Sequence, residues 1–178
     1  MKKNLVVILA FAVLYFVYFN YEGQTGQVED SAFEAVIITK VVDGDTVYSD
    51  KGEKIRIIGI NAPEVGEELL SEESMDFAKK HLLNKEVYIE KDVEVLDQYD
   101  RILAYIWIDK PENLSYESIK NLNYSAMSLS VGLSRTYTFE PNVKYERDFK
   151  RAQREARDLE IGMWEVSEEG TTRGNELR

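Results

Sequence analysis

VVDGDTVYSDKGEKIRIIGINAPE, residues 41–64, reads as two strands and two turns, and it carries most of the chain's candidate chemistry. Asp43-Gly44 favours a turn, Thr46 to Tyr48 starts a strand, and Asp50-Lys51-Gly52 makes a hairpin turn. Glu53 to Ile60 then returns as the partner strand, with Gly59 marking a bend or a close backbone approach. Asp43, Asp45, Arg56, Asn61 and Glu64 fall within 22 positions. Carboxylate and carbonyl oxygens suit a hard divalent cation. A guanidinium suits a bidentate grip on phosphate. A further glutamate can take a proton from water. Together they describe phosphodiester hydrolysis. Each also has a structural reading: DGDT as a plain turn, Arg56 as a buried paired arginine, Glu64 as a helix-start acid.

Working outward, FEAVIITKVV (33–42) is short and β-branched, hence a strand. Ser71 with Glu72 and Glu73 starts a helix that ends at Lys79, Lys80 and His81, with Met75, Ala78 and Leu82 as its apolar stripe. Val87 to Val95 alternates, with Val87, Ile89, Val93 and Val95 on one face, and Arg101 to Ile108 is the next strand. Five strands with a helix between the third and fourth match an α+β chain built on a five-stranded OB-fold β-barrel. Helices over 117–131 and 143–160 bring the total to about three. The last fourteen residues are polar and expected to be disordered. The cationic face of the last helix (Lys144, Arg147, Lys150, Arg151, Arg154, Arg157) is interleaved with acids and reads as solvated rather than as a nucleic-acid patch.

The 178 residues suffice for one domain with a sizeable core. The net charge of −11 excludes a broad basic nucleic-acid face but leaves room for a small cationic pocket. With no cysteine, disulfides, thiolate metal sites and cysteine nucleophiles are excluded. The single histidine, His81, reads as a helix-terminal cation. At the amino end, Lys2 and Lys3 precede a 15-residue apolar run, residues 5–19, with no A-x-A-like cleavage site after it. That run is shorter than the ~20 residues that span a bilayer comfortably. Flanking aromatics suit the headgroup level, and the lysines favour a cytoplasmic amino end. Residues 1–21 are therefore read as a signal-anchor or uncleaved signal, with a cleaved signal as the alternative. The protein is accordingly expected to be extracytoplasmic, membrane-anchored or secreted. Residues 22–32 form a linker, 33–165 the folded domain and 166–178 a polar tail.

DGDT, Arg56 in a strand with Glu64 eight residues beyond it in GINAPE, and then Asp97-Gln98-Tyr99-Asp100-Arg101 resemble, in order and spacing, the thermonuclease (staphylococcal nuclease-like) family. The helix EARDLEIGMW resembles that family's closing helix, so the resemblance covers about residues 35–164. It implies the same OB-fold. It implies Arg56, Glu64 and Arg101 as catalytic residues, and a Ca²⁺ held by Asp45, Asn61 and the Ala62 main-chain carbonyl. It implies Asp43 as a nearby acid acting through water, and Tyr137 and Phe139 as the nearest matches to two nucleotide-lining tyrosines. The aromatics serve equally as core or surface residues. Asp97 is read as steadying the start of the Arg101 strand. The chain departs from the family pattern at Asn61, a carboxamide in place of a carboxylate, at Asp100 in place of glycine, and in a short acidic loop after Glu64. Fewer charged ligands imply weaker calcium binding.

The resemblance thus implies a calcium-dependent endonuclease acting on DNA and RNA with little sequence preference. Its expected partners are single-stranded nucleic acid and, through the amino-terminal segment, a membrane, with a monomer as the expected state. The competing reading is a catalytically weak or inactive OB-fold module that binds single-stranded nucleic acid or a protein.

Overall fold

A computed structural model of the protein describes residues 32–177. The amino-terminal apolar segment and most of its linker lie outside the described residues. Among the described residues, no helix is long and apolar enough to cross a membrane.

Five strands close into a barrel in the order β1 (Phe33–Val41), β2 (Thr46–Ser49), β3 (Lys54–Ile57), β6 (Ile102–Trp107), β5 (Glu86–Glu90). All pairings are antiparallel except β3 with β6, where Ile55, Arg56 and Ile57 face Ile102, Leu103 and Ala104. β1 serves both neighbours, β5 along its first half and β2 along its second, with an irregularity between Ile38 and Lys40. Such a break adds the local twist that lets one strand turn the corner of a small barrel. Inward-facing Val36, Ile38, Val47, Ile55, Ile57, Val87, Ile89, Ala104 and Ile106 fill the interior.

The expected third strand, 53–60, is two strands. At Gly59 the backbone turns to φ +93°, and β4 (Gly59–Asn61) leaves the barrel to pair with β7 (Arg135–Tyr137), which the sequence reading did not foresee. A Cβ at Gly59 would overlap the Phe149 ring, so this bend needs glycine for space as well as for φ.

The helices are α1 (Ser71–Leu82), α2 (Tyr116–Leu122), α3 (Tyr124–Ser130), α4 (Glu146–Asp158) and the single-turn α5 (Met163–Val166). α1 matches its expected span and buries Ala78 and Leu82. The single helix expected over 117–131 is broken at Asn123, whose extended backbone ends α2 while its side chain caps α3 through the Ser125 N–H. In α4, Phe149, Ala152 and Ala156 are buried as expected, but Leu159 is exposed.

Three other expectations are corrected. The alternating stretch 87–95 is a strand only to Glu90, and Val93 is exposed. The Glu94 N–H and carbonyl bond the Asn142 side chain rather than a neighbouring strand. His81 stands in the last turn of α1, but its surroundings disfavour the cation. Its ring meets that of Phe77 at 4.4 Å, tilted by 41°, and burial, with Lys80 and Lys85 nearby, pushes its pKa down. Nor is the tail disordered: residues 170–177 run back along β7, and the Asn175 N–H donates to the Thr136 carbonyl at 2.8 Å.

Candidate active site

The site forms where β2, β3, β4 and the loop before β6 converge, because closing the barrel brings the two ends of the 41–64 stretch together. The Asp43 side chain accepts from the Asp45 N–H at 2.9 Å, which folds the DGDT turn back on itself. The Ile57 N–H donates to the Asp45 carbonyl at 2.8 Å and ties the turn to β3. Tyr124 on α3 donates its hydroxyl to the Gly44 carbonyl at 2.9 Å. A Cβ at Gly44 would collide with Ser74 and Ala62, so the glycine of the turn is there for close approach.

Asp45 is 6% exposed and anchors the centre. One carboxylate oxygen accepts from the Thr46 hydroxyl at 3.0 Å; the other accepts from the Ala62 N–H at 2.8 Å and meets the Arg56 guanidinium at 3.1 Å. Burial pushes the Asp45 pKa up to about 6 despite Arg56, and the Asp43 charge adds to the rise. Arg56 also donates to the Ile57 carbonyl at 2.8 Å and faces the Asn61 side-chain oxygen at 3.4 Å.

An acid whose folded pKa lies above its unfolded value is held more tightly as the protonated form by the folded chain. Its share of stability is complete below pH about 4 and is lost as pH rises to about 6. In chelator, the wild type is therefore expected to lose roughly 2–3 kcal/mol over that window through this group. Asp45→Asn flattens that slope. Urea midpoints of both proteins between pH 4 and 7 check it, and parallel curves would contradict it.

Arg101 is held from its own loop. Asp97 accepts from the Arg101 Nε at 2.6 Å and from the Arg101 and Tyr99 N–H groups at 3.0 and 2.9 Å. Burial pushes the Asp97 carboxyl up, but these donors together hold it below its ordinary value. The intervening Asp100 sits at φ +59°, a left-handed position that aspartate tolerates better than most residues. Glu64 is exposed, just beyond Pro63, and its N–H donates to a Glu68 carboxylate oxygen at 2.7 Å.

All ten candidate residues line one cleft of about 500 Å³: Asp43, Asp45, Arg56, Asn61, Ala62, Glu64, Asp97, Arg101, Tyr137 and Phe139. Tyr137 and Phe139 meet edge to face at 4.6 Å. β7 sets Tyr137 opposite Gly59, and Phe139 stands 57% exposed. An adjoining cavity of about 220 Å³ runs between Arg56, Arg101, Leu103 and this aromatic pair. One face thus offers two guanidiniums, carboxylates and an aromatic ledge, a set that can grip a phosphate and stack on a base.

The sequence reading missed Arg173, which also lines the cleft, and Thr172 behind it. They stand in a polar stretch without periodicity, and no residue pattern marked them.

No cluster of three or more acidic, histidine or cysteine side chains is poised for a metal among the described residues. The donors that the sequence singles out fit a hard divalent ion in kind, since Asp45, the Asn61 side-chain oxygen and the Ala62 carbonyl are all oxygens. Asp45 is a buried carboxylate whose ionisation an added cation would favour. Two features work against tight binding: Arg56 occupies the flank of Asp45, and the Ala62 carbonyl accepts a 3.4 Å contact from the Asn61 amide nitrogen.

Residues 54–166 match the model of the family described as staphylococcal nuclease homologue. That match contains Arg56, Glu64 and Arg101; the DGDT turn precedes it. The chain is 32% identical to a thermonuclease of Staphylococcus intermedius, covering 90% of this chain and 95% of that protein. It is 30% identical to a thermonuclease of Staphylococcus hyicus, covering 92% and 99%. It is 28% identical to an endonuclease of Bacillus subtilis, covering 78% and 65%.

Proposed function

The chain belongs to the staphylococcal nuclease homologue family, and from that premise we propose that it is a calcium-dependent endonuclease acting on single-stranded DNA and RNA with little sequence preference. That it is a nuclease, a phosphodiester hydrolase, rests on the family and on the relatives that carry that activity in their names. The observation that carries the finer reading is the convergence of Arg56, Arg101 and Glu64 on one cleft with Asp45.

Arg56 lies on β3, and Arg101 stands just before β6, the parallel neighbour of β3. Both present donors to a phosphate and oppose the charge that grows on its oxygens in the transition state. Glu64 is the exposed carboxylate of the cleft and takes a proton from the attacking water. Asp97 clamps Arg101 through its Nε, leaving the two terminal nitrogens for substrate. Asp45, Asn61 and the Ala62 carbonyl are the residues that would hold calcium. When bound, the ion supplies charge neutralisation at a phosphate oxygen. Phe139 and Tyr137 offer a ledge for an unpaired base, which supports a single-stranded substrate. The basic amino terminus and apolar run at residues 5–19 support an extracytoplasmic site of action, tethered or secreted.

Digestion of end-labelled single-stranded DNA and RNA in millimolar calcium is expected to give internal cuts spread along the strand. Chelator abolishes them. Cutting that persists in chelator would remove the metal from the account. Binding without cutting at any calcium level would favour an OB-fold binding module.

A further inference from the structure

The segment Gly170–Leu177 is docked with more specificity than a polar tail requires. Arg135 on β7 donates to the Thr172 carbonyl at 3.0 Å and to the Asn175 carbonyl at 2.9 Å. The Asn175 side chain accepts from the Thr138 N–H at 2.7 Å and donates to the Thr138 carbonyl at 3.1 Å. Gly174 lies so close that a Cβ would stand 2.6 Å from the Arg135 Nε. Leu177 packs with the buried group of Ala156, Met163 and Trp164.

Between these anchors the segment reaches the cleft twice. Thr172 is 93% buried, and its hydroxyl oxygen accepts from the Asn61 Nδ2 at 2.9 Å while donating to Glu68 Oε2 at 2.9 Å. The same Glu68 oxygen receives the Glu64 N–H at 2.7 Å. A continuous chain of hydrogen bonds therefore runs from Asn61 through Thr172 and Glu68 to the backbone of Glu64. Its polarity is fixed at one end: Arg56 can only donate, so the Asn61 oxygen faces it and the amide nitrogen faces Thr172. An aspartate at 61 would offer Thr172 a second acceptor while its one hydrogen is committed to Glu68. The relay thus gives a reason for the carboxamide in this chain. Arg173, the next residue, lines the cleft beside Arg56 and Arg101.

We propose that Gly170–Leu177 is a working part of this cleft: Thr172 is a positioning residue that orients the Asn61 carboxamide, and Arg173 is a third cation that contacts a phosphate of the bound strand. The inference rests on the nuclease reading, which supplies the polyanion.

The test uses the full chain and a labelled single-stranded hexadeoxynucleotide. In chelator, Arg173→Gln weakens binding about 3- to 10-fold at low salt and lowers the slope of log affinity against log salt by about 0.7, the share of one phosphate contact. Its melting temperature stays unchanged. Thr172→Val lowers kcat about 10-fold with little change in oligonucleotide affinity. It also shifts the side-chain amide resonances of Asn61 in ¹⁵N-resolved NMR spectra, and Thr172→Ser restores both. An unchanged salt slope in Arg173→Gln overturns the third cation. Unchanged Asn61 resonances or turnover in Thr172→Val overturn the positioning role. If the wild type binds and cleaves while the variants match it, this inference fails alone. If the wild type neither binds nor cleaves, the nuclease reading fails and takes this inference with it.

Discussion

Replacing Arg56 with methionine is expected to lower kcat by about 10³-fold and to destabilise the fold by about 3 kcal/mol. The two losses have separate causes. Arg56 faces Asp45 at 3.1 Å, both side chains being nine-tenths buried or nearly so, and the other partners of that carboxylate among the described residues are the neutral Thr46 hydroxyl and Ala62 N–H. Removing one partner of a buried pair leaves the other desolvated and uncompensated, which costs about 3–5 kcal/mol. The catalytic loss is that of the phosphate donor in the proposed mechanism, a role that typically contributes 10²- to 10³-fold. The double variant Arg56→Met with Asp45→Asn separates them. It is expected to recover most of the stability, to within about 1 kcal/mol of Asp45→Asn alone, and none of the activity. Stability measured by urea denaturation and initial rates on one oligonucleotide check both. Equal instability of the single and double variants would place the cost of losing Arg56 elsewhere, in its bond to the Ile57 carbonyl.

How far the residues could be read depended on whether their signal was local. The barrel was legible because β-branched runs and Asp/Gly turns recur at strand spacing, and α1 because its acids and bases sit at the matching ends. The candidate site was legible because ordered motifs just before β2, on β3, around the end of β4 and in the loop before β6 carry it, and barrel closure brings them to one cleft. What escaped depends on tertiary contact. Gly59 diverts the chain out of the barrel against Phe149, and this cut the third strand short and gave β4 the partner β7. Asn123 breaks a continuous apolar stripe because its side chain caps the following helix. Val93 alternates correctly with Ile89, yet it points to solvent once Asn142 captures the backbone of Glu94. Polar Thr172 and Asn175 look like tail residues until Asn61, Arg135 and Thr138 are seen to hold them.

The second large effect belongs to Glu64. Glu64→Gln keeps the size and the N–H bond to Glu68 but removes the carboxylate proposed to take the proton from water. It is expected to lower kcat by 10²- to 10⁴-fold, the range typical of a general base. Because the side chain is exposed, stability changes by no more than about 0.5 kcal/mol. Substrate affinity, which the proposed reading assigns to the arginines and the aromatic ledge, is expected to be retained. This separates Glu64 from Arg56, where turnover and folding both suffer. Glu68 accepts the Glu64 N–H but does not line the cleft, and Glu68→Gln, which keeps an acceptor oxygen for that N–H, is expected to leave turnover within several-fold of the wild type.

On the proposed reading, this cleft cuts the strand it binds, with Glu64 as the base. The most direct test is single-turnover cleavage of one labelled single-stranded oligonucleotide by the wild type and by Glu64→Gln, in calcium, with the affinity of each protein measured on the same strand in chelator. Equal affinities are expected, with cleavage in the wild type reduced at least 100-fold in the variant. Equal cleavage rates in the two proteins, or a wild type that binds the strand and leaves it intact in calcium, would contradict it.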